Sequence, residues 1–148
     1  MNQSAELVRE IVKAARDGDS AISQMMDKSS DEALRGMFSA EREQYRLLEQ
    51  DASKKLTALG GQAEPEGLLN RAEMWMGIQM ETLTDRSSDH LAELFIQGNG
   101  MGLISMTRAR NSCPQADQES AELCERFIQL QRDGTEHARA FLKEPEAH

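Results

Sequence analysis

An all-α fold, four long helices and a shorter one within a single domain, is what this sequence predicts, and three observations predict it. Apolar residues recur at three- and four-residue steps through most of the chain, the spacing that lines one face of an α-helix. Short clusters of Gly, Pro, Ser and Asp separate the segments so marked, and these are helix stops and caps. Aromatics make up only 4% of the 148 residues while methionine occurs nine times. Leu, Ile, Val, Ala and the pliable Met side chain must therefore fill the core, which helix packing accepts readily. The length suits one domain, residues 1–148, with a real core.

The first helix is expected over about 4–26, where Leu7, Val8, Ile11, Ala15, Ile22, Met25 and Met26 make one apolar face. Asp27–Ser30 breaks the pattern, and Ser29 with Glu32 reads as a capping box. The second helix, 30–59, carries Leu34, Met37, Phe38, Tyr45, Leu48, Ala52, Leu56 and Leu59 inward, and Gly60–Gly61 stops it. Pro65 and Gly67 mark a linker. A shorter helix over 66–84 has a stripe of Leu69, Ala72, Trp75, Met76, Gln79 and Leu83, with Met74 and Ile78 on a second ridge. Ser87 or Ser88 caps a helix over 88–110, lined by Leu91, Leu94, Phe95, Gly98, Met101 and Ser105, with Ile96 and Leu103 off that face. Pro114 sits in the next break. The last helix, 116–142, turns Leu123, Phe127, Leu130, Gly134, Ala138 and Phe141 inward. The second ridges on helices 66–84 and 88–110 have two readings, contact with each other inside one chain or contact between subunits.

The bulk properties exclude several function classes. A formal net charge of −9 with no basic block argues against nucleic acid and anionic membranes as partners. No stretch is long and apolar enough to span a bilayer, and the polar opening MNQSAELVREIV does not read as a secretory signal. Cys113 and Cys124 form neither a metal motif nor a disulfide framework. Free thiols in a cytoplasmic protein are the expectation.

Stepping about 100° per residue around each helix sorts the residues that could carry chemistry. Glu41 falls at the centre of its apolar stripe, between Phe38 and Tyr45. Gly18 lies within the first stripe and Asp19 at its edge. In QRDGTEHARAF, residues 131–141, His137 lies at the stripe's edge while Glu136 points about 100° away, so these neighbours cannot converge on one internal ion. A dinuclear carboxylate centre in a bundle needs a Glu from each of two helices and a Glu-x-x-His from each of the other two. The residues three before His90, His137 and His148 are Ser87, Gly134 and Pro145. The nearest analogue is Glu41 followed by Gln44, and helix 88–110 offers only Asn99 near its inner face. No catalytic residue and no metal centre is expected. The candidate polar core cluster is Asp19, Glu41, Tyr45 and His137. In it Glu41 either pairs internally with Arg, Tyr or His, or belongs to a functional site, or rolls out to solvent. The methionines read as core, and neither cysteine has an activating neighbour. Gly18, Gly98, Gly100, Gly102 and Gly134 interrupt helices at about 1 kcal/mol each relative to Ala. They make room for a close or large neighbour, or floor a small-ligand pocket. Gly98–Gly102 is not a phosphate loop, since no strand precedes it and no Lys-Ser/Thr follows.

Asp17–Gly18 on the first helix, Leu56-Thr57-Ala58-Leu59-Gly60-Gly61 closing the second, Asn70–Arg71 with Trp75–Met76 on the short one, and His137 on the last carry a resemblance over nearly the whole chain. Together they resemble an uncharacterised bacterial family of ferritin-like four-helix-bundle proteins. The resemblance implies a four-helix bundle with the short extra helix in the crossover between the second and third long helices. Helices one and four would run one way and two and three the other, bringing Asp19, Glu41 and His137 toward one end. It implies no established activity. The chain departs from the family where Asn99 follows Gly98 in place of Glu, where Met106 stands for Tyr, and where Ile22 stands for an aromatic residue; these losses weaken a metal site. The expected function is therefore a non-catalytic binding or assembly module with a degenerate metal site and no cofactor. It would act as a homo-oligomer, a dimer through helices 66–84 and 88–110. The alternative is a ferritin-like protein or oxidase holding iron or another divalent metal at Asp19, Glu41 and His137.

Overall fold

A computed structural model describes residues 2–63 and 68–143, with backbone alone for residues 68–73 and 75. Its described residues form five α-helices and no strand: α1 Gln3–Lys28, α2 Glu32–Ala58, α3 Leu68–Glu81, α4 Ser88–Ser112 and α5 Gln118–Arg139. The linker residues Pro65 and Gly67, and the expected inward Leu69, Ala72 and Trp75, lie outside the described positions or side chains.

Side-chain caps define most of the ends. Asn2 Oδ1 accepts from the Ser4 and Ala5 N–H groups at 2.9 and 3.3 Å and opens α1. The cap of α2 is Asp31, which accepts from Ala33 and Leu34, and not the expected Ser29–Glu32 box. Ser29 instead closes α1, and its hydroxyl accepts from the Asp31 N–H at 3.2 Å. A carboxylate placed one residue before the helix competes better for the free N–H groups than a hydroxyl three residues away. Arg35 reaches back to the Met26 and Ser29 carbonyls at 2.7 and 3.2 Å, tying this tight connection together. At the other end of α2, Gly60 takes φ +78°, which a side chain would strain, and Gly61 N–H returns to the Leu56 carbonyl at 2.9 Å. Ser87 caps α4 and Asp117 caps α5.

Contacts between helix ends give the directions. Arg9 near the start of α1 bonds Gln62 just past α2, so α1 and α2 are antiparallel. The Asp117 N–H donates to Ser4 Oγ at 2.7 Å, which places the starts of α1 and α5 side by side and makes these helices parallel. Ser88 Oγ donates to Asp31 Oδ2 at 2.7 Å, so α2 and α4 also run together, opposite to the first pair. The most extensive interfaces are α1 with α2 and α4 with α5. Helix α5 also packs on α1 and α2, while α3 lies against α1.

The core is continuous, from Leu7, Val8, Ile11 and Val12 through Leu34, Phe38, Leu48 and Leu56 to Leu91, Phe95, Cys124 and Phe127. Two sequence expectations change here. On α3 and just beyond it, Met76 and Leu83, expected inward, are 56% and 73% exposed, while Ile78 of the second ridge packs against the core. On α4 the inward line runs Leu91, Phe95, Asn99, Met106, so that Met101 is 73% exposed, Gly98 and Ser105 are exposed as well, and Ile96 and Leu103 pack inward. The expected stripe followed apolarity through Gly98. The true one follows 3.6-residue geometry through a polar residue that finds partners inside.

Candidate functional site

Glu41 and Tyr45 stand one turn apart on the inward face of α2, and both are buried, at 4% and 3% exposure. The Glu41 carboxylate accepts from His137 Nδ1 of α5 at 2.8 Å. The ring's other edge reaches solvent, since the His137 side chain is 61% exposed against 5% for Glu41. Helix α5 brings His137 here through its Gly134, where a Cβ would lie 3.0 Å from Glu41 Oε2 and 3.1 Å from the Phe95 ring. Glycine thus leaves the space the carboxylate occupies.

Deeper in, neutral polar groups follow. Tyr45 donates a long 3.5 Å bond to Asn99 Oδ1 of α4, and Asn99 Nδ2 donates to Thr135 Oγ1 of α5 at 3.2 Å. Burial raises the Tyr45 pKa well above its ordinary value, and the Glu41 charge adds to the effect, while a side-chain hydrogen bond with Gln131 partly offsets them. The phenol therefore stays protonated at neutral pH. Gln131 is itself 5% exposed, and its Oε1 has no hydrogen-bond partner. Two more glycines make room for this group. A Cβ at Gly18 of α1 would meet the Tyr45 ring at 2.8 Å, and one at Gly102 of α4 would collide with the Gln131 amide. Aromatic edges frame the cluster, Phe38 against Phe95 at 5.5 Å and Tyr45 against Phe127 at 5.9 Å between ring centroids.

Of the four residues expected to cluster, Glu41, Tyr45 and His137 come together and Asp19 does not. Asp19 pairs with Arg42 at 2.9 Å and with Arg46 at 3.8 Å. Those two arginines, on the outer flank of α2, hold it at the half-exposed seam between α1 and α2. An edge position on a helical wheel leaves the side chain a choice, and two guanidiniums decide it. Sequence reasoning put Asn99 near the inner face but gave it no role, and it missed the buried Gln131 and the half-buried Thr135. A signal existed: Asn99 and Gln131 each lie one turn beyond an inward phenylalanine, Phe95 and Phe127, and so continue its face.

A carboxylate-bridged pair of metals needs about six protein ligands from four helices. Glu41 and His137 are two, Asp19 is turned away, and Asn99, Gln131 and Tyr45 are neutral. Among the described residues no three His, Cys, Asp or Glu side chains gather as a metal-holding group. The donor set does not fit a dinuclear centre. The chemistry left to the cluster is that of a half-buried carboxylate–imidazole hydrogen bond resting on a neutral hydrogen-bonded layer.

An open groove of about 530 Å³ lies between the end of α2 and the start of α5, lined in part by Asp51, Lys54, Lys55, Glu119, Glu122 and Arg126. Its charges largely answer one another. Lys55 sits 3.1 Å from both Asp117 and Glu119, and Arg126 sits 2.6 Å from Asp51. Cys113 and Cys124 are both free and buried, and burial pushes the Cys124 thiol up to about 11. No helix among the described residues is long and apolar enough to cross a membrane. No family model matches this chain, and a search of curated proteins finds no relative for it.

Proposed function

We propose that this protein is a non-catalytic binding or assembly module, built on a ferritin-like four-helix bundle with the short α3 in its crossover and retaining only a remnant of a metal site. One observation carries the reading. Among the described residues, seven large apolar side chains are exposed, and five of them, Met76, Met80, Leu83, Met101 and Ile104, belong to α3, its C-terminal end and α4. Apolar surface concentrated on two neighbouring elements in sequence marks a contact face rather than scatter. The topology is supported by the parallel course of α2 and α4, which requires the 59–87 connection to travel the length of the bundle as a ferritin-like crossover does. The remnant is Glu41 with His137, a carboxylate and an imidazole that now satisfy each other. Two free, buried cysteines accord with a cytoplasmic location.

The test is elemental analysis of protein purified without tag or chelator, together with its mass in solution. The expected result is no stoichiometric metal and a defined oligomer. About one or two iron, manganese or zinc ions per chain, lost on changing Glu41 or His137, would refute the reading in favour of a metal-binding protein.

A further inference from the structure

Helix α4 turns toward solvent a face with an unusual charge pattern. From Leu94 to Ala116 the sequence carries no acidic residue, in a chain whose 26 acids outnumber its 17 Lys and Arg. In the middle of that stretch Met101 and Ile104 are 73% and 54% exposed. Beside them Gly98 and Gly100 have nothing within 4 Å of where a Cβ would sit. Gly18, Gly102 and Gly134 have reasons inside the molecule for the helix stability they give up; Gly100, on this face, has none. What a glycine on an open helix face offers is the close approach of another backbone.

We propose that this face is the contact between two copies of the chain, with α4 crossing its twofold mate antiparallel at Gly100–Met101. The inference rests on the binding-or-assembly reading and adds to it the partner and the register. Its basis is that the face complements itself. At 100° per residue, Glu93, Gln97, Gly100, Met101, Ile104 and Arg108 fall within an arc of about 100°. In a twofold antiparallel contact, residues equally far from the axis on opposite sides meet. With the axis between Gly100 and Met101, Met101 of each copy sits over Gly100 of the other, Gln97 lies beside Ile104, and Glu93 meets Arg108. Both charges are available for this. Glu93 takes only a 3.5 Å bond from Gln97 on its own helix, and Arg108 has no side-chain partner among the described residues. Each lies about 11 Å along α4 from the axis, so a shallow crossing keeps both pairs within side-chain reach. A chain of net charge −9 repels its own copies over most of its surface, and α4 beyond Glu93 carries no acid to add to that repulsion.

Sedimentation equilibrium on the full chain, with charge exchange at two exposed positions, tests the inference. The wild-type chain should sediment at twice 16.6 kDa. Glu93→Arg or Arg108→Glu alone sets two like-charge pairs across the axis and should weaken the dimer at least about tenfold. Mixed in equal amounts, the two variants restore opposite charges at both ends of a heterodimer and should recover wild-type strength to within about threefold. Met101→Cys, placed beside the axis, should cross-link to its own copy under oxidised glutathione, whereas Glu43→Cys on α2 should not. A dimer indifferent to both charge exchanges, with no cross-link through position 101, overturns this register while leaving assembly through α3 intact. A chain that stays monomeric to about 100 µM overturns both the contact and self-assembly as the function.

Discussion

Replacing His137 with alanine strips the Glu41 carboxylate of its hydrogen-bond partner without touching the packed interior. A hydrogen bond to a charged group is worth about 1.5–3 kcal/mol. The upper end is not reached here, because the His137 side chain is 61% exposed and water screens it. The Glu41 side chain, only 5% exposed, cannot replace the lost partner with bulk water unless α5 moves. The expected cost of His137→Ala is therefore about 1.5–2.5 kcal/mol, or a fall in Tm of roughly 4–8 °C for a domain of this size. Urea unfolding at pH 7 followed by far-UV circular dichroism measures it. The decisive comparison repeats the substitution in a Glu41→Gln background, where no carboxylate remains to be stranded. There His137→Ala should cost only about 0.5 kcal/mol, leaving a coupling of at least about 1 kcal/mol between the two positions. Equal costs in both backgrounds, agreeing within about 0.3 kcal/mol, would show that the imidazole does not support the carboxylate and would undo the account of the cluster.

Three further outcomes follow from the same structure. Gly102→Ala drives a methyl group into the buried Gln131 amide and should destabilise by about 1–2 kcal/mol, whereas Gly98→Ala and Gly36→Ala, in open space, should stabilise the monomer by up to about 1 kcal/mol in urea titrations. Asp117 is held at about 2 chiefly by the Ser120 N–H, with Lys55 adding to the effect. A depressed carboxylate stabilises above its unfolded value of 3.8 and loses that contribution as pH falls through about 2, so Asp117→Asn should flatten the acid side of the stability curve between those values. On the alkaline side Cys124 is raised from 9.0 to about 11, so its contribution is complete below pH 9 and lost as pH rises toward 11; Cys124→Ala should delay the alkaline loss of stability, though it lowers stability at neutral pH through the cavity it leaves.

How far the sequence could be read depended on whether a residue's place was set by its own helix or by a neighbouring one. Phe38, Glu41 and Tyr45 follow one another at three- and four-residue steps, so the inward course of α2 was legible from spacing alone. Asp19 was not, because a residue at the edge of a stripe goes where its partners stand, and Arg42 and Arg46 stand outside. Gln131 was passed over because polarity was taken for exposure, and Asn99, placed near the inner face, was given no partner for the same reason. Inside a helical protein the helix phase decides, provided a donor or acceptor waits at the right height, and Tyr45 and Thr135 wait there. α3 was the least legible element. Apolar residues surround this 14-residue helix on several sides, and only its packing on α1 selects Ile78 rather than Met76 as the buried face.

Three of the mid-helix glycines and the buried polar layer, odd when taken separately, explain one another once paired. Gly18 stands against Tyr45, Gly102 against Gln131 and Gly134 against Glu41, so three glycines on three helices make room for three polar side chains on two. Such a layer gives up helix propensity, about 1 kcal/mol at each glycine, and adds the desolvation of Gln131 Oε1, which has no partner. An all-apolar layer of the same volume would be at least as stable. What the polar layer adds is register. Sliding α5 by one turn along α2 would leave Glu41 without His137, Asn99 without Thr135, and a Cβ where a glycine now yields. Apolar side chains alone tolerate such slips, as helices with many Leu and Met faces do. A bundle meant to present α4 at a fixed height and rotation needs the slip forbidden, because the outward Gly100 can meet a second helix only when Asn99, one position before it, is held inside.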